Sequence, residues 1–199
     1  MVLEKINSHR IILASRSPRR KQLLEDLGIR FEIVCHDWNE DYPEGLKGSE
    51  IALHLATLKA ETFREQVKDG EIIITADTIV WCNNKVLGKP SDEQEAIGII
   101  SEISGNTHDV ITGVCLLSAR RSRSFYSTTK VTFERLTPSE IEYYVRNYRP
   151  YDKAGAYGIQ EWIGLAGCSH IEGSYFNVMG LPVEKVYHEL QLLAVDEID

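Results

Sequence analysis

Apolar and polar positions along the first third of the chain follow two spacings in turn, one typical of strands and one of helices. Residues 11–14 form an apolar run that predicts a buried strand. A polar turn, Ser15-Arg16-Ser17, then leads into a helix that Pro18 begins and Gly28 ends. The opening unit is therefore expected to be strand, polar turn and helix.

The next segment repeats this order. A second strand is predicted over residues 31–35, and a longer helix begins at Ser49 after an acidic loop. Residues 72–76 are apolar or β-branched without alternation, which is typical of a strand covered on both faces. Asp77 is expected to end that strand.

The remaining elements are set by turn and capping signals. Asn83-Asn84 predicts a tight hairpin, and capping boxes at Ser91 and Thr137 predict two further helices. Long strands are expected between them, over residues 110–117 and 124–133. Residues 151–173 are rich in glycine and irregular, with Ile159 and Ile171 expected in short strands, and Pro182 begins the last helix. Strands interleaved with helices indicate an α/β fold with a mixed sheet and a cleft.

Composition narrows the functional classes. The chain has 199 residues, 43% of them apolar, and 22 basic against 30 acidic side chains give a net charge of −8. This charge argues against non-specific binding to nucleic acid or to an anionic membrane. The four cysteines lack zinc-ligand spacing, and residues 1–10 lack the apolar core of a signal peptide. We therefore expect a cytoplasmic protein with reduced thiols and no membrane partner.

The first candidate for chemistry is the basic start of the first predicted helix. Arg19 and Arg20 stand where the helix dipole disfavours cations, beside the hydroxyls and backbone N–H groups of the Ser15-Arg16-Ser17 turn. Such a combination suits a phosphate group. From this segment alone, a solvated basic helix start is an equally good interpretation.

Three further charged residues allow the same two interpretations. Asp77 at the end of a buried strand suits a water-positioning or metal-binding role, although a turn-forming Asp bonded to the N–H of Ile79 is the simpler interpretation. Lys89 precedes a helix, and Lys153 lies in a glycine-bearing segment. If these cations converge with the arginines they form a polyphosphate pocket, and if they scatter they are ordinary surface residues.

Several enzyme classes have no motif in this chain. The P-loop pattern and the dinucleotide-binding glycine pattern are absent, as are H-E-x-x-H and G-x-S-x-G. Kinases, dehydrogenases, zinc proteases and nucleophile-elbow hydrolases are thus disfavoured.

One family resembles the chain over nearly its whole length. The string from Leu13 to Arg20, LASRSPRR, is similar to the opening motif of the Maf family of nucleotide pyrophosphatases. Further blocks resemble that family in the family's order: LKA at Leu58, ADTIV at Ala76, LGKP at Leu87, SGNTH at Ser104, TGV at Thr112, DKAGAYGIQ at Asp152, GSY at Gly173 and VMGLP at Val178. Several ordered motifs make accidental similarity improbable.

The resemblance implies a fold and a reaction. It implies a single α/β domain over residues 1–199, of the Maf and ITPase-like kind, with a mixed, bent sheet flanked by helices and two lobes around a deep cleft. It also implies a homodimer that hydrolyses nucleoside triphosphates to monophosphate and pyrophosphate with Mg²⁺ or Mn²⁺. No stable nucleic-acid partner is expected.

Site residues follow from the same resemblance. It implies that Asp77 accepts a proton from the attacking water and that Glu40, with Asp77, lies near the metal. The residues that match the triphosphate-binding positions are Ser15, Arg19, Arg20, Lys59 and Lys89.

Substrate choice is implied by three positions. Arg19, Thr78 and Gln160 match the branch that prefers dTTP and UTP, and modified pyrimidine triphosphates are expected as further substrates. An amide offers a donor and an acceptor to the uracil or thymine edge. The chain departs from the family at the next position, where Glu161 and then Trp162 follow Gln160 in place of the usual glycine.

Two alternatives stay open at this level. One is a 7-methyl-GTP pyrophosphatase. The other is a non-enzymatic regulator of cell division or a nucleic-acid-binding protein, and the acidic pI of about 5.3 disfavours the nucleic-acid-binding version.

Overall fold

A computed structural model describes residues 2–38 and 40–196 of the chain. The helices are α1 Val2–Ile6, α2 Pro18–Asp26, α3 Ser49–Glu61, α4 Glu93–Ile103, α5 Pro138–Tyr148, α6 Trp162–Gly167, α7 Tyr175–Met179 and α8 Val183–Asp196, with a 3-10 turn at Ala154–Ala156. The strands are β1 Arg10–Ala14, β2 Phe31–Val34, β3 Glu71–Cys82, β4 Lys85–Leu87, β5 Thr107–Leu117, β6 Ser122–Phe133 and β7 Cys168–Glu172.

These strands form a mixed sheet. Within the described residues it has seven strands in the order β2-β1-β3-β5-β6-β7, with β4 paired to β3. β1 runs parallel to both β2 and β3, whereas the β3/β4 and β6/β7 pairs are antiparallel. The predicted α/β fold with a mixed sheet and flanking helices is confirmed. The single domain over residues 1–199 and the deep cleft stay predictions.

The chain divides into two compact units. The first contains the chain up to Asp77, Thr112–Ser127 and the segment from Gly180 onward. Its core joins β1, α3, β3 and β5 through the buried side chains of Ile12, Ala14, Ala60, Phe63, Ile73, Cys115 and Leu117. The residues of β3 from Glu71 to Asp77 are all buried, which explains why the apolar run there does not alternate.

The second unit contains Thr78–Ile111 and Thr128–Met179. Its core is formed by α4, α5, α6 and the strands between them, with Ile100, Val131 and Phe133 among its most buried side chains. The predicted hairpin is present, because Asn83 and Asn84 have φ of 50° and 61°, the left-handed values that a type I′ turn requires.

Two predictions about strands are wrong. Asp77 does not end a strand, because β3 continues to Cys82, and the turn around Asp77 that would bond Ile79 is therefore absent. Ile159 lies in a loop rather than a strand, although Ile171 lies in β7 as predicted. Among the described residues, no helix has the length and apolar character that crossing a bilayer would require.

Candidate active site

The centre of the candidate site is an ion-pair cluster on the first unit. Asp77 lies in the middle of β3, and its Oδ1 pairs with Nζ of Lys59 from α3. The same Nζ lies 3.1 Å from Oε1 of Glu40. The Lys59 and Asp77 side chains are only 7% and 10% exposed, whereas Glu40 is 45% exposed. One buried ammonium therefore joins a buried carboxylate to a carboxylate at the surface.

The helix pattern explains why a lysine is buried here. The inward face of α3 carries Ile51, Ala52, Leu55, Ala56, Lys59 and Ala60. Lys59 thus occupies a core-facing position, and its charge is compensated by the two carboxylates and by the carbonyl end of the helix. Nζ also lies 5.8 Å from the centroid of the Trp38 ring.

Close approach of α3 to the sheet depends on a glycine in β5. A Cβ at Gly113 would lie 2.2 Å from the carbonyl oxygen of Ala52, which is far too close for any side chain. Gly113 therefore allows the helix to bring Lys59 within reach of Asp77.

A second cation is fixed beside this cluster. The Arg20 guanidinium donates from Nε to the carbonyl oxygen of Gly180 at 2.8 Å and from Nη1 to that of Ala76 at 2.8 Å. Nη1 also donates to Oγ of Ser15 at 3.3 Å, and Ser15 is buried. Burial lowers the pKa of Arg20 below its usual value, while the negative charge of Asp77 opposes that shift. Arg20 is thus anchored next to the strand residue that precedes Asp77.

The turn before α2 has the predicted form. Ser17 caps the helix by accepting from the N–H of Arg20 at 3.4 Å, and its own N–H donates to Oγ of Ser15 at 3.2 Å. Arg19 is half-buried, and its charge is one of the factors that lower the pKa of Arg20. Arg16 instead pairs with Asp37 at 2.6 Å. The two arginines and Ser15 therefore concentrate donors at one helix start.

Five of the predicted site residues are thus brought together on the first unit: Ser15, Arg20, Glu40, Lys59 and Asp77. Lys89, Thr78 and Gln160 belong to the second unit, where Lys89 and Gln160 are exposed and Thr78 is half-buried. Their convergence on the first cluster stays a prediction.

Lys153 is neither an ordinary surface residue nor part of the cluster on the first unit. Its side chain is only 9% exposed, and its Nζ lies 2.7 Å from Oδ1 of Asp152 and 3.2 Å from Oε1 of Glu161. Glu161 in turn accepts a hydrogen bond from the Tyr144 hydroxyl. The sequence does not reveal this network, because Tyr144 and Glu161 lie 17 positions apart and neither belongs to a motif.

Asp77 and Glu40 are the two carboxylates that contact Lys59. The two already surround one cation, Lys59, which shows that this location favours positive charge. Among residues 2–38 and 40–196, no group of three or more His, Cys, Asp or Glu side chains is arranged to hold a metal. One or two carboxylates are nevertheless what Mg²⁺ takes from a protein when phosphate oxygens and waters complete its shell. The donor set fits a cation that binds together with a phosphorylated substrate.

Comparison with known proteins identifies the family. Residues 10–193 match the family model described as Maf-like protein, so the chain belongs to the Maf family. Among curated relatives, a dTTP/UTP pyrophosphatase of Phocaeicola vulgatus is 52% identical over 193 residues, covering 96% of this chain and 100% of that protein. A dTTP/UTP pyrophosphatase of Flavobacterium johnsoniae is 50% identical, covering 97% of this chain and 100% of that protein. The predicted family is therefore confirmed.

Proposed function

We propose that this chain hydrolyses dTTP and UTP to the nucleoside monophosphate and pyrophosphate. The observation that carries the proposal is the cluster in which the Lys59 ammonium joins Asp77 and Glu40, with the Arg20 guanidinium fixed beside it. Relatives that match over nearly their full length carry the name dTTP/UTP pyrophosphatase, which supports the substrate class.

In the proposed reaction, the oxygen of a water attacks the α-phosphorus of the bound triphosphate. The bond between that phosphorus and the bridging oxygen breaks, and pyrophosphate leaves with the electron pair. Asp77 takes the proton of the attacking water on a carboxylate oxygen. No covalent intermediate with the protein is needed.

The cations have the complementary role. Lys59 and Arg20 are held in fixed positions by carboxylates and by backbone carbonyls, so little reorganisation accompanies the increase of charge on the phosphate oxygens. Ser15, Arg19 and Lys89 are proposed to complete the binding of the triphosphate, and Arg19, Thr78 and Gln160 to select the base. Positioning and charge neutralisation are the main contributions that a protein makes to this class of displacement.

Asp77 and Glu40 are proposed to hold Mg²⁺ or Mn²⁺ when substrate is present. The ion would supply further neutralisation of negative charge on the phosphate oxygens. We also propose that the chain forms a homodimer and that it is cytoplasmic. Light scattering of the purified protein, which measures its molar mass in solution, tests the homodimer.

The test measures pyrophosphate released from dTTP, UTP, CTP, GTP and 7-methyl-GTP with Mg²⁺ or Mn²⁺, by the parent and by Asp77→Asn. The proposal predicts turnover of dTTP and UTP by the parent and a loss of at least about 100-fold in the variant. Glu32→Gln, an exposed residue of β2 that pairs with Arg10, is the matched carboxylate control and should retain activity. Preference for 7-methyl-GTP would contradict the role of Gln160, and absence of any hydrolysis would contradict the reaction.

A further inference from the structure

The loop that carries Gln160 is anchored by a buried polar network on the second unit. The Tyr144 hydroxyl donates to Oε2 of Glu161 and accepts from the N–H of Gly158 at 3.0 Å. Oε1 of Glu161 pairs with Nζ of Lys153 at 3.2 Å. Both carboxylate oxygens of Glu161 therefore have a partner, one with Tyr144 on α5 and the other with Lys153 in the segment before the 3-10 turn.

The packing around this carboxylate leaves little freedom. A Cβ added at Gly158 would lie 2.7 Å from Cδ of Glu161. The Glu161 backbone also begins α6, because its carbonyl accepts from the N–H groups of Gly164 and Leu165 at 3.0 and 3.2 Å, and its own N–H donates to the Gly158 carbonyl at 3.0 Å. Glu161 is thus held in place both by its side-chain contacts and by its backbone hydrogen bonds.

Gln160 is exposed in a segment whose neighbouring residues are buried or half-buried. Tyr157 and Ile159 are each 5% exposed and Ile163 is fully buried, while Gln160 faces solvent. An exposed amide on a rigid backbone loses less conformational freedom on binding a ligand than one on a mobile loop. The network is therefore placed to fix the backbone on either side of Gln160.

We infer that Glu161 is a positioning residue for base selection, which acts through Gln160 by holding the loop against Tyr144 and Lys153. This inference rests on the proposed function, because it deepens the account of how that site distinguishes one base from another. The structure provides a suitable variant, since Glu161→Gln keeps an oxygen to accept from Tyr144 and leaves Lys153 its second partner, Asp152, at 2.7 Å. The variant is therefore expected to fold.

The test is a double-mutant cycle on Gln160 and Glu161, with kcat/KM for UTP and CTP measured in the parent, Glu161→Gln, Gln160→Ala and the double variant. We expect Glu161→Gln to lower kcat/KM for UTP about tenfold in the parent and less than about twofold when Gln160 is already absent. The ratio of UTP to CTP hydrolysis should fall by a similar factor. A purely structural role would instead reduce activity equally in both backgrounds and leave that ratio unchanged.

Two further variants complete the design. Tyr144→Phe removes the hydroxyl that donates to Glu161 but keeps the ion pair between Glu161 and Lys153. It should therefore lower the UTP to CTP ratio, as Glu161→Gln does. It replaces Glu161→Gln if that variant melts far below the parent. Glu172→Gln, an exposed carboxylate on β7, should change nothing. Equal losses in both backgrounds, or an unchanged ratio, would overturn the inference while leaving the proposed function intact. A parent that hydrolyses no nucleoside triphosphate would overturn the proposed function and, with it, the inference.

Discussion

At the scale of single residues, the candidate site depends on the charge balance around Lys59. Its ammonium is almost fully buried and contacts the carboxylates of Asp77 and Glu40. Removing one member of a buried pair leaves an uncompensated charge, which costs more than the pair contributes to stability. A substitution at Lys59 should therefore lower stability through the lost ion pair and lower activity through the lost cation, and the two effects can be measured separately.

Lys59→Met is expected to lower the free energy of unfolding by about 3 kcal/mol, because Asp77 loses its buried partner. It should also reduce UTP turnover by about 100-fold or more, since a fixed cation is lost from the proposed phosphate site. Adding Asp77→Asn to Lys59→Met should restore much of the stability but none of the activity. Urea unfolding monitored by circular dichroism, alongside pyrophosphate release, measures both effects.

Lys21→Met provides the matched control, because Lys21 is half exposed on α2 and its partner Glu25 lies 3.7 Å away at the surface. It should change the free energy of unfolding by less than about 0.5 kcal/mol. If Lys59→Met unfolds at the same urea concentration as this control, the buried ion pair does not stabilise the fold as described.

A buried histidine predicts how stability depends on pH. His108 is 2% exposed, its Nε2 lies 2.8 Å from the Tyr157 hydroxyl, and its Nδ1 has no hydrogen-bond partner among the described residues. Burial lowers the pKa of His108 from 6.5 to about 4. The unfolded chain binds this proton more readily, so the contribution to stability is complete above about pH 6.5 and is lost as the pH falls toward 4.

The full loss amounts to about 3 kcal/mol. His108→Gln should flatten the dependence of the unfolding free energy on pH between 4 and 6.5, whereas His170→Gln, at an exposed residue of β7, should not. The unfolding free energy of the parent and of His108→Gln is measured by urea unfolding at each pH. If both depend on pH in the same way, protonation of His108 does not destabilise the fold, which contradicts the prediction.

At the scale of elements, the position of α3 against the sheet is set by Gly113. Gly113→Ala would push a Cβ into the carbonyl of Ala52, so the helix must shift and carry Lys59 with it. We expect a loss of about 2–3 kcal/mol in unfolding free energy together with reduced turnover. Thermal melting and pyrophosphate release test this.

Gly98→Ala is the matched control, and it is expected to raise the unfolding free energy where Gly113→Ala lowers it. Gly98 is exposed in α4, and a Cβ there would have no heavy atom within 4 Å. Alanine is the better helix former, so this variant should gain about 0.5–1 kcal/mol and keep its activity. Equal melting temperatures for the two glycine variants would contradict the close approach of α3 to β5.

The sequence predicts most elements but misplaces some of their ends. The Thr137 capping box is present, whereas the cap of α4 is Asp92, which accepts from the N–H of Glu95, rather than Ser91. Asp77 and Thr78 interrupt an apolar run and so imitate a strand end, although pairing carries β3 on to Cys82. The sequence pattern does not predict α6, because the segment WIGLAG is short and contains two glycines.

The site itself was only partly predictable. The clustering of Ser15 and Arg20 at a cationic helix start can be predicted, because local electrostatics disfavours cations there, and phosphate binding at this position stays a prediction. The spacing of apolar residues in α3 places Lys59 on the inward face, but a functional role for it is implied only by the resemblance to the family. The partnership of Glu161 with Tyr144 depends on tertiary packing, which no local pattern encodes.

At the scale of the whole molecule, a strongly acidic chain presents a local concentration of cations. The net charge is −8, yet Arg19, Arg20 and Lys59 lie in or beside one cluster with two carboxylates. Such an arrangement suits an anionic ligand that is bound locally, since the overall field would repel it. We therefore expect the cluster to direct a water molecule to the α-phosphorus of a nucleoside triphosphate.

The phosphorus that water attacks is identified by hydrolysing UTP in water enriched with oxygen-18 and analysing both products by mass spectrometry. We expect one labelled oxygen in UMP and none in pyrophosphate, because the new bond forms at the α-phosphorus. Label in pyrophosphate, or release of UDP with labelled inorganic phosphate, would place the attack at a different phosphorus and contradict the proposed reaction.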